Sequence, residues 1–66
     1  MKIEDITEPL AYRYSRTRGG VTITGTGVVV QKYQAANGWQ IILHDKRNNR
    51  APTLRPAHVL QRVRVG

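Results

Sequence analysis

From Leu10 onward the chain alternates apolar and polar positions, with Leu10, Tyr12 and Tyr14 set against Ala11, Arg13 and Ser15. A period of two with tyrosines on one face predicts a strand over about 11–17 and favours burial of at least one of the two tyrosines. Gly19-Gly20, flanked by Arg16 and Arg18, ends it in a short cationic loop or hairpin turn. The next stretch, VTITGTGVVVQKY from Val21, is dense in β-branched residues and reads as one long bent strand or two in series. Gly25 and Gly27 fall where such a strand would carry a bulge or sharp bend. Ala35-Ala36-Asn37-Gly38 is the clearest turn. A three-residue loop with a glycine bulge would set Ala35 opposite Trp39, Tyr33 opposite Ile41 and Gln31 opposite Leu43.

WQIILHD supplies the next strand and KRNNR a polar turn whose asparagines tolerate left-handed backbone. A short strand around Pro52–Arg55, one tight helical turn at Pro56–Val59 and a last alternating strand over QRVRV complete the order. No window shows the i, i+3, i+4 spacing of an amphipathic helix. The expectation is an all-β fold: a single five-stranded small barrel with one 3-10 turn before its last strand. Sixty-six residues leave room for one core of modest size. Residues 1–9, with Glu4, Asp5 and Glu8 around Ile3 and Ile6, read as an acidic arm closed off by Pro9, and residues 10–66 as the barrel. The arm could pair as an edge strand, form a helical turn, stay mobile, dock on a neighbouring subunit's basic face or cover the barrel's own groove.

This order of elements resembles the SH3-like barrels over about residues 10–65. Its most specific piece, LRPAHVLQRV, looks like the end of such barrels, where a helical turn redirects the chain into a closing strand. TGTGVVVQKY is similar to the glycine-then-apolar core of the KOW and Tudor branches. That architecture hosts nucleic-acid binders, peptide readers and at least one enzyme family, so fold alone assigns no activity. The enzyme family is the type II dihydrofolate reductases, a tetrameric pore around folate and NADPH. TLRP stands at the position of that family's Gln-Ile-Tyr-Pro segment, but only Pro56 matches. Thr53 and Arg55 replace the glutamine and tyrosine that hold both ligands, so the reductase activity is not carried over.

Charge adds what the alternation leaves open. Eleven Lys and Arg against four Asp and Glu give +7, and eight of the eleven are Arg. Lys2 against three acids makes residues 1–9 net −2, while ten cations against Asp45 make the remainder net +9. Such a field attracts polyanions, and the planar guanidinium fork suits phosphate. The absence of cysteine excludes disulfides and thiolate zinc sites, and two separated histidines form no ligand cluster. No apolar run approaches the about 18 residues of a membrane span, and no signal peptide is visible, so a cytoplasmic protein without membrane, metal or other cofactor is expected.

Catalysis finds little support in Ser15, His44, Asp45 and His58, because His44 and Asp45 are strand neighbours facing opposite ways and nothing else ties these residues together. GTG is too short for a phosphate-binding loop and no helix follows it. A non-enzymatic chain is therefore expected. What remains is cations interleaved with aromatics, the composition of a surface that tracks a nucleic-acid backbone. The candidate binding residues are Arg13, Arg16, Arg18, Lys32, Tyr33, Trp39, Lys46, Arg47, Arg50 and Arg55. The loops joining strands one to two and three to four can meet at one rim and gather five or six of these cations. Trp39 serves either as a core cap or as a stacking platform. Arg62 and Arg64 alternate with Val63 and Val65 as the solvated face of a half-buried strand that can extend a phosphate stripe. The leading expectation is a module that binds DNA or RNA mainly through phosphates. The alternative is a protein-interaction accessory module, of plasmid or phage type, that docks on an acidic surface or self-assembles as a homo-oligomer.

Overall fold

The computed structural model describes residues 1–64. It is all-β: β1 (Ala11–Arg18), β2 (Val21–Ala35), β3 (Gly38–His44), β4 (Thr53–Leu54) and β5 (Val59–Val63), with 3-10 turns at Ile3–Asp5 and Pro56–His58. The strands form one antiparallel sheet in the order β4-β3-β2-β1-β5. Among the described residues no helix is long and apolar enough to cross a membrane.

The fifteen-residue β2 joins the two halves of the sheet, its first half pairing with β1 and its second with β3. Gly19 and Gly20 both carry positive φ, 56° and 79°, which closes the β1–β2 hairpin between Arg18 and Val21 in two residues. The second hairpin departs from the expected register. Ala35 pairs with Gly38, Gln34 with Trp39 and Tyr33 with Gln40, one step from the pairing a three-residue loop would give. Only Ala36 and Asn37 lie between the paired ends, and a two-residue connection shifts every pair beyond it. A bulge at Val30 then adds a second step in the same direction, since Gln31 pairs with Ile42 but Val29 with Leu43.

The bulge is thus at Val30 and not at the two strand glycines, which stay in the β1–β2 ladder opposite Tyr14 and Tyr12. They are small for a different reason. A Cβ on Gly25 would overlap the Asp45 carboxylate and lie 2.9 Å from both Asn48 Nδ2 and the Tyr14 hydroxyl; one on Gly27 would lie 3.0 Å from Leu43 Cβ. The last strand also starts earlier than expected, because Val59 already pairs with Tyr14 immediately after the 3-10 turn. Val65, which the expected strand included, lies outside the described residues.

Ile6, Tyr12, Tyr14, Val29, Ile41, Leu43, Leu54 and Val59 form the core. Ile6 comes from the acidic arm and is fully buried, a contribution of about 1.5–3 kcal/mol for a side chain of its size. The arm forms one 3-10 turn and is tied down by polar contacts as well. The Tyr12 hydroxyl donates to Asp5 O at 3.0 Å and accepts from the Thr7 amide at 2.9 Å. Lys32 Nζ donates to Ile6 O at 2.8 Å, and the Lys32 amide donates to the Glu8 carboxylate at 3.0 Å. Because cross-strand partners share a face, the pairing of Lys32 with buried Ile41 aims the lysine stem inward, where the arm's carbonyls receive its charge.

Candidate nucleic-acid interface

Alternation continues past the tyrosines of β1. Tyr12, Tyr14, Arg16 and Arg18 occupy successive positions on one face, opposite Gly27, Gly25, Ile23 and Val21 of β2. The tyrosines are buried, Arg16 is half-buried and Arg18 is exposed. Where the hairpin leaves the core, Arg16 Nη1 donates to Thr53 O of β4 at 2.9 Å and ties the hairpin to the far edge of the sheet. Its Nε is buried without a hydrogen-bond partner.

Between this seam and the second 3-10 turn lies an open groove of about 810 Å³. Arg16, Thr17 and Arg18 form one side, Ala51, Pro52, Thr53 and Leu54 another, and Arg55, His58, Tyr33, Asn37 and Gln40 complete it. Among the described residues no carboxylate lines it, and neither does any residue of the arm, so of the alternatives for the arm the cover of this groove is not realised. The physical reason is Ile6, whose burial commits the arm to the core.

Several groove side chains are fixed by neighbours. Arg55 Nη1 donates to Asn37 O at 3.0 Å, joining the second 3-10 turn to the β2–β3 hairpin. His58 Nδ1 accepts from the Arg55 amide at 3.1 Å, which leaves Nε2 as the position for the proton of the neutral ring. The Tyr33 hydroxyl donates to Gln40 Oε1 at 3.3 Å and Gln40 Nε2 donates to Asn37 Oδ1 at 3.4 Å. These long bonds leave amide and phenol capacity for a ligand. Tyr33 is 37% exposed and offers a ring surface beside three guanidinium groups.

Of the ten candidates, the structure brings together Arg16, Arg18, Tyr33 and Arg55. The rest are dispersed. Arg13 stands exposed on the opposite face of β1, paired with Thr26 and Gln61. Lys32 is engaged by the arm, and Trp39 is half-buried across from Gln34. Lys46 and Arg47 line a separate hollow with Val28, Val30 and His44. The expected gathering of five or six cations at one rim is thus three in one groove. Asn37, Gln40, Thr53 and His58 were not legible as groove residues. Gln40 joins Tyr33 only in the two-residue register, and no local signal marks His58.

Arg50 is held beside the one buried carboxylate. Asp45 and Arg50 form a single antiparallel bridge around the Lys46–Asn49 turn, with Asn49 at a φ of 52°. Asp45, fully buried, accepts from the Tyr14 hydroxyl at 2.6 Å, Asn48 Nδ2 at 2.7 Å and the Asn48 amide at 3.2 Å. Burial by itself would raise this carboxyl, but the Asn48 and Tyr14 hydrogen bonds and the Arg50 charge outweigh it and hold the pKa below the ordinary value. The Tyr14 phenol is raised, first by burial and then by the adjacent Asp45. Asp45 is buried at the centre of this cluster, with Gly25 leaving the space its carboxylate fills.

Compared with protein-family models, with curated proteins and with solved structures, the chain finds no match.

Proposed function

We propose that the protein is a nucleic-acid-binding module whose groove takes the phosphate backbone on Arg16, Arg18 and Arg55 and a base or sugar against Tyr33. The observation that carries this reading is a groove lined by three guanidinium groups, an aromatic ring, an imidazole and two amides, with no carboxylate among the described residues that line it. Guanidinium forks pair with phosphate oxygens, and a ring at the same wall supplies a stacking surface that tolerates any base. Binding is backbone-directed with modest sequence preference, since the described residues form no recognition helix to enter a major groove. The SH3-like resemblance, with its KOW and Tudor branches, supports a binding role, and we take the chain to be a binder and not an enzyme.

Titration with single-stranded DNA, RNA and duplex DNA of equal length at two salt concentrations tests this. Three phosphates neutralised by the groove give a slope of log affinity against log salt of about −2 on single strands and about −2.7 on duplex. A slope near −4 to −5 on duplex, about five phosphates, means that cations outside the groove also bind. Tyr33→Ala weakens single-strand binding by about 1–3 kcal/mol if the ring stacks on a base. A flat salt response, or full binding by an Arg18→Ala/Arg55→Ala variant, removes the reading.

A further inference from the structure

A second surface, sharing no residue with the groove, has a different chemistry. The ladder places Val63, Ala11, Val28 and His44 side by side on β5, β1, β2 and β3, so these four side chains form one row across the sheet. Ala11 is the smallest and is flanked by two valines, which makes a depression at the middle of the row. Two hollows, of about 490 and 400 Å³, meet at Ala11 and Val28. Val28 and Val30 are 38% and 53% exposed, Val30 because the bulge pushes it out of the ladder. Arg62 and Arg64 line the hollow toward β5, and Lys46 and Arg47 line the one toward β3. Among the described residues no carboxylate side chain lines either hollow.

We infer that this face is a docking site for an acidic, amphipathic segment of a partner protein: an extended stretch with an aliphatic or aromatic side chain seated over Ala11 and carboxylates reaching the cations at each end. Charge complementarity selects this occupant. A second copy of the chain carries the same +7 and would bring cations against cations. Nucleic acid would satisfy the rim but presents phosphates to a floor of valines, whereas an acidic peptide uses both. The row crosses three strand spacings, about 14 Å at ~4.8 Å each. An extended peptide covers that span in about four residues, which fixes the separation of its two acidic groups. The protein then joins two ligands, a polyanion at the groove and an acidic protein at this apolar-floored, cation-rimmed face.

The test uses the whole protein, isotope-labelled, and a synthetic peptide with two Asp-Glu pairs about four residues apart and a leucine between them. Binding is expected to shift the amide resonances of Ala11, Val28, Val30 and His44 and to leave those of Thr53 and His58 in place. Replacing the peptide leucine by serine weakens binding by about tenfold or more, the effect of losing one buried aliphatic side chain. Val28→Ser weakens it in the same direction, and Lys46→Glu with Arg47→Glu, confined to an exposed turn, does so without touching the sheet. Both variants keep single-stranded DNA binding at the groove, so failure here is distinguishable from failure of the nucleic-acid reading. The inference is overturned if the leucine and serine peptides bind alike, if the shifts fall on the groove, or if single-stranded DNA and not the peptide moves Ala11 and Val28.

Discussion

Four residues on one face of β1 divide into two pairs with opposite fates. Tyr12 and Tyr14 are each about 1% exposed, and each hydroxyl is spent on a fixed partner, the arm backbone for Tyr12 and Asp45 for Tyr14. Arg16 and Arg18, the next two positions on that face, line an open groove. Spacing and facing are the same for both pairs. What differs is what lies across that face: the arm and the Asp45 turn cover the first half of the strand, whereas the second half borders the open groove and is tied across it to β4 by the Arg16–Thr53 hydrogen bond. In the closed half the tyrosine hydroxyls and the Asp45 carboxylate are paired within the chain and support the fold, with Arg50 Nη1 buried unpartnered beside them, while the open half keeps donors for a ligand. The difference teaches that facing inward and being buried are separate properties in so small a sheet.

Removing the central acceptor of the closed half should have the largest effect. Asp45→Ala leaves the Tyr14 hydroxyl, Asn48 Nδ2 and the Arg50 charge without their buried partner, a loss of about 3–5 kcal/mol expected in urea unfolding. A loss below about 1 kcal/mol would mean that the cluster is not closed to water.

The pH dependence sharpens the same contrast. Asp45 is depressed in the folded protein, so its contribution is present above the unfolded value of 3.8 and is lost as pH falls through the folded one. Tyr14 is raised, so its contribution is present below 10 and is lost as pH rises through its folded value. Stability measured by urea titration should therefore be level with respect to this pair between about pH 5 and 9 and fall on both sides. Tyr14→Phe should remove the alkaline fall and shrink the acid one, at about 1–3 kcal/mol for the lost buried hydrogen bond.

The smallest effect on the fold belongs to the open half. Arg18→Ala should change stability by under about 0.5 kcal/mol, as for other exposed positions. It should nonetheless lower the salt slope of nucleic-acid binding by about 0.7–0.9. A variant that unfolds the hairpin would show that Arg18 belongs to the closed half after all.

Much of the fold was legible because alternation and turn chemistry are local. The two tyrosines of β1, the long β2, the Asn-Gly hairpin and the 3-10 turn at Pro56 each follow from residues a few positions apart. Register was not. Whether Ala35 closes on Gly38 or on Trp39 depends on a single residue of loop length, and the bulge at Val30, which shifts the pairing one step further, answers to packing across the sheet. Gly25 and Gly27 look like bend signals along the chain, while their cause is the approach of Asp45 and Leu43 from β3 and the turn after it. The groove was half legible: Arg16, Arg18, Tyr33 and Arg55 announce themselves by charge and ring, but their company with Asn37, Gln40 and His58 follows from the seam that Arg16 makes with Thr53.

Period two, β-branched runs and paired glycines are properties of neighbours in the chain, and they alone determined that this protein is an antiparallel sheet of short and long strands with a surplus of positive charge. Which cations stand together was decided by closure in three dimensions. The seating of Ile6 drew the acidic arm and Lys32 into the core, and the Asp45 turn drew in Arg50. Burial and long-range pairing depend on what lies across the sheet, and no stretch of sequence contains its own opposite wall.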